Sequence, residues 1–151
     1  MEPTHPEKPS QRYAGSGEGP LWVTLDLVAL LNDYPTFDEA SMALCNELAF
    51  HLKATRASLG WMRDGAARLA ATSHTNKLDQ RLEAVRDLER TMEEAADQDE
   101  DITYPASGQT PTITREHELY ARKLGSKHLL SIPFRTDGKV VAVLTLQRES
   151  R

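Results

Sequence analysis

Apolar residues recur at helical spacing at Leu21, Leu25, Val28 and Leu31 within "LWVTLDLVALLNDY". The pattern predicts a helix that Pro35 ends. Thr36 and Glu39 then stand at the spacing of a capping box. Phe37, Ala40, Leu44, Leu48 and Leu52 form one apolar stripe, which predicts a second helix from about Phe37 to Lys53. The period drops to two in "RASLGWMRDGAARLAATSH", where two β-leaning runs flank the hairpin dipeptide Asp64-Gly65. Alternation places Leu59 and Trp61 on one face of the first strand, and Leu69, Ala71 and Ser73 on one face of the second. Helical spacing returns at Leu78, Leu82, Val85, Leu88, Met92 and Ala96, with Asn76 as the expected N-cap and Asp79 in the first turn. That stripe is narrow, so one side should pack and the other stay wet. The far end carries Glu93, Glu94, Asp97, Asp99, Glu100 and Asp101. Carboxylates there oppose the helix dipole, so this end is expected to be a solvated face that frays or is held by a partner.

Farther on, Ile102 to Tyr104 reads as a short strand stopped by Pro105, and "SGQTPT" as a loop. Thr114 is the expected cap of a helix, "REHELYARKL", with Leu119, Tyr120 and Leu124 apolar and Gly125 closing it. "HLLSIPFRTDGKVVAVLTLQR" is a second hairpin, turning at Asp137-Gly138. Val141, Val143 and Thr145 alternate there with Val140, Ala142, Leu144 and Leu146. Both faces are largely apolar, which predicts a central strand covered on both sides. The order is α-α-β-β-α-β-α-β-β. Two hairpins cannot build a parallel sheet, so the fold class is α+β: an antiparallel sheet of about five to six strands with helices on both faces.

Composition adds boundaries. The 151 residues suit one domain. Residues 1–20 hold Pro3, Pro6, Pro9 and Pro20 with Gly15, Gly17 and Gly19 and almost nothing large and apolar, the signature of a disordered tail or linker. The folded domain is expected over 21–148, with 149–151 a stub that could lead to an output domain. A net charge of −5 argues against nucleic acid or an anionic membrane as partner. No apolar run reaches the roughly 18 residues of a membrane span, and "MEPTHPEKPS" lacks the basic and apolar regions of a signal peptide. A cytoplasmic location is the simplest expectation. The single cysteine, Cys45, excludes an intramolecular disulfide and an all-cysteine metal site, and reads as a small core filler beside its helix's stripe.

With these residues in this order, the chain over about 21–148 resembles a GAF domain. The likeness rests on the two opening helices, "RASLGWMRDGAARLAATSH", the long helix after "SHTNKLDQRLEAV", the short "ITYP" strand and the ending "HLLSIPFRTDGKVVAVLTL". More narrowly, "ATSHTNKLDQRLEAVRDLE…EEAADQD" is similar to GAF segments attached to haemolysin-D-like secretion adaptors of bacteria. The resemblance implies a sheet flanked by helices and a pocket between the sheet and the elements that follow the second strand. It also implies small-molecule binding or dimerisation, an adjoining output domain and a helix after the last strand.

Candidate chemistry is sparse. Ser73 and His74 are adjacent at a strand end, so their side chains point to opposite faces and cannot form a nucleophile–base pair. His5, His51, His74, His117 and His128 are scattered, and none makes a His-x-x-x-His pair, so no metal site is expected. Cyclic-nucleotide GAF domains carry a dispersed Asn, Lys, Phe, Asp, Glu signature. Here "NKLDQ" packs Asn76, Lys77 and Asp79 into one helix start, with Leu78 and Gln80 as mismatches. Bilin attachment needs a cysteine near the pocket, and the GAF-fold methionine sulfoxide reductase uses several cysteines. Cys45 meets neither need, and no cofactor is expected. Trp61, Tyr104 and Tyr120 read first as core aromatics. The candidate pocket is bounded by Trp61, Ser73, His74, Tyr104 and Ile132. The function expected is a non-catalytic sensory or regulatory domain in which an unidentified small molecule shifts the helices between arrangements for the output domain to read. The alternative is a module that only homodimerises through the Leu21–Lys53 helices.

Overall fold

A computed structural model describes residues 20–74, 82–108, 111–126 and 128–149. The expected N-terminal tail up to residue 19, and the expected roles of Asn76, Leu78 and Asp79, lie outside the described residues. The elements run α1 (Pro20–Asn32), α2 (Phe37–His51), β1 (Arg56–Arg63), β2 (Ala66–Thr72), α3 (Leu82–Gln98), β3 (Ile102–Tyr104), α4 (Arg115–Leu124), β4 (His128–Thr136) and β5 (Lys139–Arg148). The strands form one antiparallel sheet in the order β2-β1-β5-β4-β3, with α2 on one face and α3 and α4 on the other. β5 lies at its centre, as its two apolar faces predicted. Both hairpins turn on two residues with positive φ: Asp64 and Gly65 at 51° and 77°, Asp137 and Gly138 at 51° and 72°. That geometry matches the right-handed twist of the strands.

Two β-bulges change the expected facing. Leu59 pairs with Ala71 but Gly60 pairs with Leu69, which leaves Ala70 as an extra residue. The extra residue reverses the alternation. Leu69 therefore packs toward α3 while Ala71 packs toward α2, and the two do not share a face. The break between Phe134 and Arg135 does the same to β5, so Val141 joins the α2 side with Ala142 while Val143 faces α3.

The helices pack differently from their stripes. Thr36 and Glu39 do form the capping pair, the Glu39 N–H donating to Thr36 Oγ1 at 3.3 Å. Yet the face of α2 buried on the sheet is Ser41, Cys45 and Ala49, one turn apart, because small side chains let the helix approach closely. Leu44 and Leu48 lie on the flank, half-buried, and Phe37 and Leu52 are exposed. Among the described side chains of α1, Leu30 is buried, while Leu25 and Val28 are 49 % and 54 % exposed. In α4, Leu119 and Leu124 are exposed and His117, Tyr120 and Ala121 are buried instead.

Cys45 fills the core, fully buried with its thiol toward the Ala71 carbonyl at 3.8 Å. Burial pushes its pKa up from 9.0 to about 12. The folded protein is expected to resist alkylation at pH 8 and to react fully in urea, read by mass spectrometry. In the unfolded chain the thiol ionises near its ordinary value while the folded one keeps its proton. Stability contributed by Cys45 is therefore complete below about pH 9 and falls as pH rises above it.

At the acidic end of α3, Asp97, Asp99, Glu100 and Asp101 are exposed, as a solvated face requires, but Glu93 is drawn onto the sheet together with Glu89 one turn earlier. Glu93 and Glu89 accept from the N–H groups of Ala67 and Leu69, both at 2.9 Å. These donors lie on β2, an edge strand, whose bare amides would otherwise template another chain. Replacing Glu89 and Glu93 together with alanine is expected to cost roughly 1–3 kcal/mol for each orphaned donor. It should also raise concentration-dependent association, measured by sedimentation velocity. The double glutamine variant keeps an acceptor at each place and should stay close to the parent.

Candidate functional site

Sequence reasoning gave His117 no role of its own, yet it is a fully buried polar residue bonded through both ring nitrogens. α4 places it one turn before Tyr120 and Ala121, so its ring enters the core and is fully buried. The i, i+3, i+4 pattern of His117, Tyr120 and Ala121 was the available signal. Nδ1 lies 2.8 Å from Glu94 Oε1 on α3, and Nε2 lies 2.8 Å from Ser131 Oγ on β4. Burial lowers the pKa of His117 against the opposing pull of Glu94. A neutral ring gives one consistent assignment: Nδ1–H donates to Glu94, and Nε2 accepts from Ser131. Glu94 also accepts from the N–H groups of Glu116 and His117 at 2.7 and 3.3 Å. It thereby caps α4, a role expected of Thr114, whose side chain makes no capping bond.

The relay continues into the sheet. Thr72, Ser58, Thr145 and Ser131 are paired in register across β2, β1, β5 and β4. All four are buried, with Ser58–Thr72 at 2.6 Å and Ser131–Thr145 at 2.9 Å between hydroxyl oxygens. Ser131, His117 and Glu94 have the connectivity of a nucleophile, base and orienting acid. Ser131 and His117 are, however, both at 0 % exposure, and Ser131 is already engaged by Thr145. The arrangement ties two helices to the sheet; it offers no approach to a substrate.

The accessible concavity lies on the opposite face. α2 covers β1 and β2 and ends at His51, which leaves the β4 and β3 side of that face open. A cavity of about 650 Å³ sits there. Leu130, Ile132 and Leu146 form its floor, Leu52 beyond the end of α2 one wall, and Tyr104 and Pro105 the other, with the Tyr104–Pro105 bond cis. Arg148 stands at one end and donates to the Leu52 carbonyl.

The five candidate residues do not converge. Tyr104 and Ile132 line this cavity. Trp61 lines a separate cleft of about 500 Å³ and meets Phe37 edge to face with centroids 4.7 Å apart. Its buried Nε1 has no hydrogen-bond partner among the described residues. Ser73 is buried, its hydroxyl accepting from the Ala57 N–H at 3.0 Å, so it closes the end of the hairpin. His74 is exposed at φ 62°, and its N–H donates to Asn46 Oδ1 at 2.8 Å. Among the described residues, no group of three or more His, Cys, Asp or Glu is placed to hold a metal ion.

A family model described as the GAF domain matches residues 36–151. The solved GAF domain of a phosphoenolpyruvate-protein phosphotransferase from Coxiella burnetii is 19 % identical, with 86 % of this chain and 77 % of that one covered at a TM-score of 0.60. The corresponding Acinetobacter domain is 14 % identical, covering 89 % and 80 % at 0.62. A free methionine-R-sulfoxide reductase from Neisseria meningitidis, solved with its substrate, is 12 % identical, covering 89 % and 78 % at 0.59. No curated protein matches the sequence.

Proposed function

The chain belongs to the GAF domain family, whose members are sensory and regulatory domains, and we propose that it is a non-catalytic sensor whose small-molecule site is the groove over Leu130, Ile132 and Leu146. The carrying observation is that groove: about 650 Å³, mostly apolar, with a few polar groups at its ends. This size and character suit a small-molecule site. Leu52, just past α2, forms a wall, and α1 packs on α2. A ligand wedged between Leu52 and the β4–β5 floor therefore favours one placement of the α1–α2 pair over another, which is a population shift an attached output domain can read. A domain bounded at about 21–148, a cytoplasmic setting and a secretion-adaptor output domain belong to the same reading. The last is supported by the likeness of the 71–99 segment.

Native mass spectrometry tests it. Extra non-covalent mass per chain is expected in the parent protein and absent in Ile132→Trp, whose indole fills the groove. Retained mass that survives this substitution, with folding verified by circular dichroism, overturns the placement of the site.

A second reading rests on the exposure of Leu25 and Val28 on α1, at 49 % and 54 %. The chain would then act by homodimerising through its first two helices. A dimer lost in Leu25→Asp/Val28→Asp, with the fold intact, supports it; a monomeric parent sinks it.

A further inference from the structure

We propose that the groove selects an anionic amphiphile, a carboxylate with an acyl body, with Arg148 holding the carboxylate; this rests on the reading of the groove as the ligand site.

The chain has 23 acidic and 18 basic residues, so a randomly lined cavity would hold carboxylates. None of the described residues lining this groove is Asp or Glu. The basic guanidinium there is that of Arg148, and the His128 imidazole is its direct partner across β4 and β5 at the same end. An anion placed at that end meets a cation and no repelling group of the lining. The rest of the floor, Leu130, Ile132 and Leu146, offers nothing polar from its side chains. The ligand that satisfies both ends has one charged head and one apolar body.

Arg148 is also fixed in place. One of its N–H groups donates to the Leu52 carbonyl, one of those left free at the end of α2. This contact offsets the negative end of the helix dipole, which would otherwise oppose an anion. A guanidinium carries five donors in a planar fork, so the anchored side chain keeps donors for a carboxylate. The floor from His128 to Ile132 runs about 13 Å along β4 at ~3.3 Å per residue, enough for a medium-length acyl chain laid along the strand.

Titration calorimetry of the full chain with decanoate, decanol and acetate, each below its aggregation limit, separates the two parts of the argument. Decanoate is expected to bind about ten-fold more tightly than decanol, in keeping with one charge-assisted contact at a partly exposed site. Acetate should show no measurable heat. Arg148→Gln should bring decanoate down to decanol, Arg148→Lys should restore part of the preference, and Ile132→Trp should abolish both. Equal binding of decanol and decanoate to the parent overturns the selection for an anion and leaves the groove as the site. Binding that survives Ile132→Trp, or none by either ten-carbon probe, overturns the groove and the selection together.

Discussion

Glu94→Ala is expected to be the most damaging single change away from the apolar core, costing about 3–5 kcal/mol. The carboxylate accepts from three donors: the Glu116 N–H, the His117 N–H and His117 Nδ1. Its side chain is 8 % exposed and that of His117 is fully buried, so water cannot replace the lost acceptor inside the core. Removing it uncaps α4 and strands one end of the relay that runs through His117 to Ser131 and Thr145. Domains of this size carry ~5–15 kcal/mol in total, so the variant should sit near the edge of folding. Urea unfolding followed by circular dichroism measures the loss. In a double-mutant cycle with His117→Leu, the two costs should fall well short of adding, because each change breaks the same contact. Additive costs would show that the relay is not one unit.

Burial of the same ring, against the opposing pull of Glu94, sets an acid limit. Burial lowers the pKa of His117 in the folded state, so the unfolded chain binds the extra proton first as pH falls. Stability from the neutral ring is complete above the unfolded histidine value near 6.5 and is lost as pH drops from there toward the folded value. In His117→Leu, the fall in stability as pH drops below about 6.5 should be shallower than in the parent.

Met92→Ala should cost about 2–5 kcal/mol, the range for deleting a fully buried long side chain. Met92 has no exposed surface and stands at the centre of the α3-side cluster with Leu88, Ala95, Ile102 and Val143. Its reach is possible because β1 carries Gly60 beneath it: a Cβ built on Gly60 would lie 2.4 Å from Met92 Sδ. Gly60→Ala alone is therefore expected to destabilise by roughly 1–3 kcal/mol through overpacking. In the Met92→Ala background the obstructing sulfur is gone, and the same substitution should become neutral or slightly stabilising. A thermal-denaturation cycle over the four proteins reads the coupling. If Gly60→Ala costs the same in both backgrounds, the contact between β1 and α3 does not govern this part of the core.

Much of the architecture was legible from one-dimensional patterns. Asp64-Gly65 and Asp137-Gly138 each specify a two-residue turn locally, and the two-sided apolar run of residues 140–146 placed β5 at the centre of the sheet. The candidate site was less legible. Tyr104 and Ile132 meet in the groove, but Trp61, Ser73 and His74 lie elsewhere, because convergence depends on contacts between elements far apart in the chain. Facing was misjudged wherever a bulge inserted one residue, since Ala70 alone puts Leu69 and Ala71 on opposite sides.

By itself, the sequence determined the element order, the hairpin turns and the α+β class, which rest on periodicity and on turn chemistry within a few residues, and its quoted segments carried the resemblance to the GAF family. Only the tertiary structure decided that small residues rather than leucines bury α2, that the acids of α3 cap β2 and α4, and that His117 belongs to the core. Those outcomes turn on how closely two distant surfaces can approach and on which buried donor finds which acceptor. A local pattern carries neither quantity.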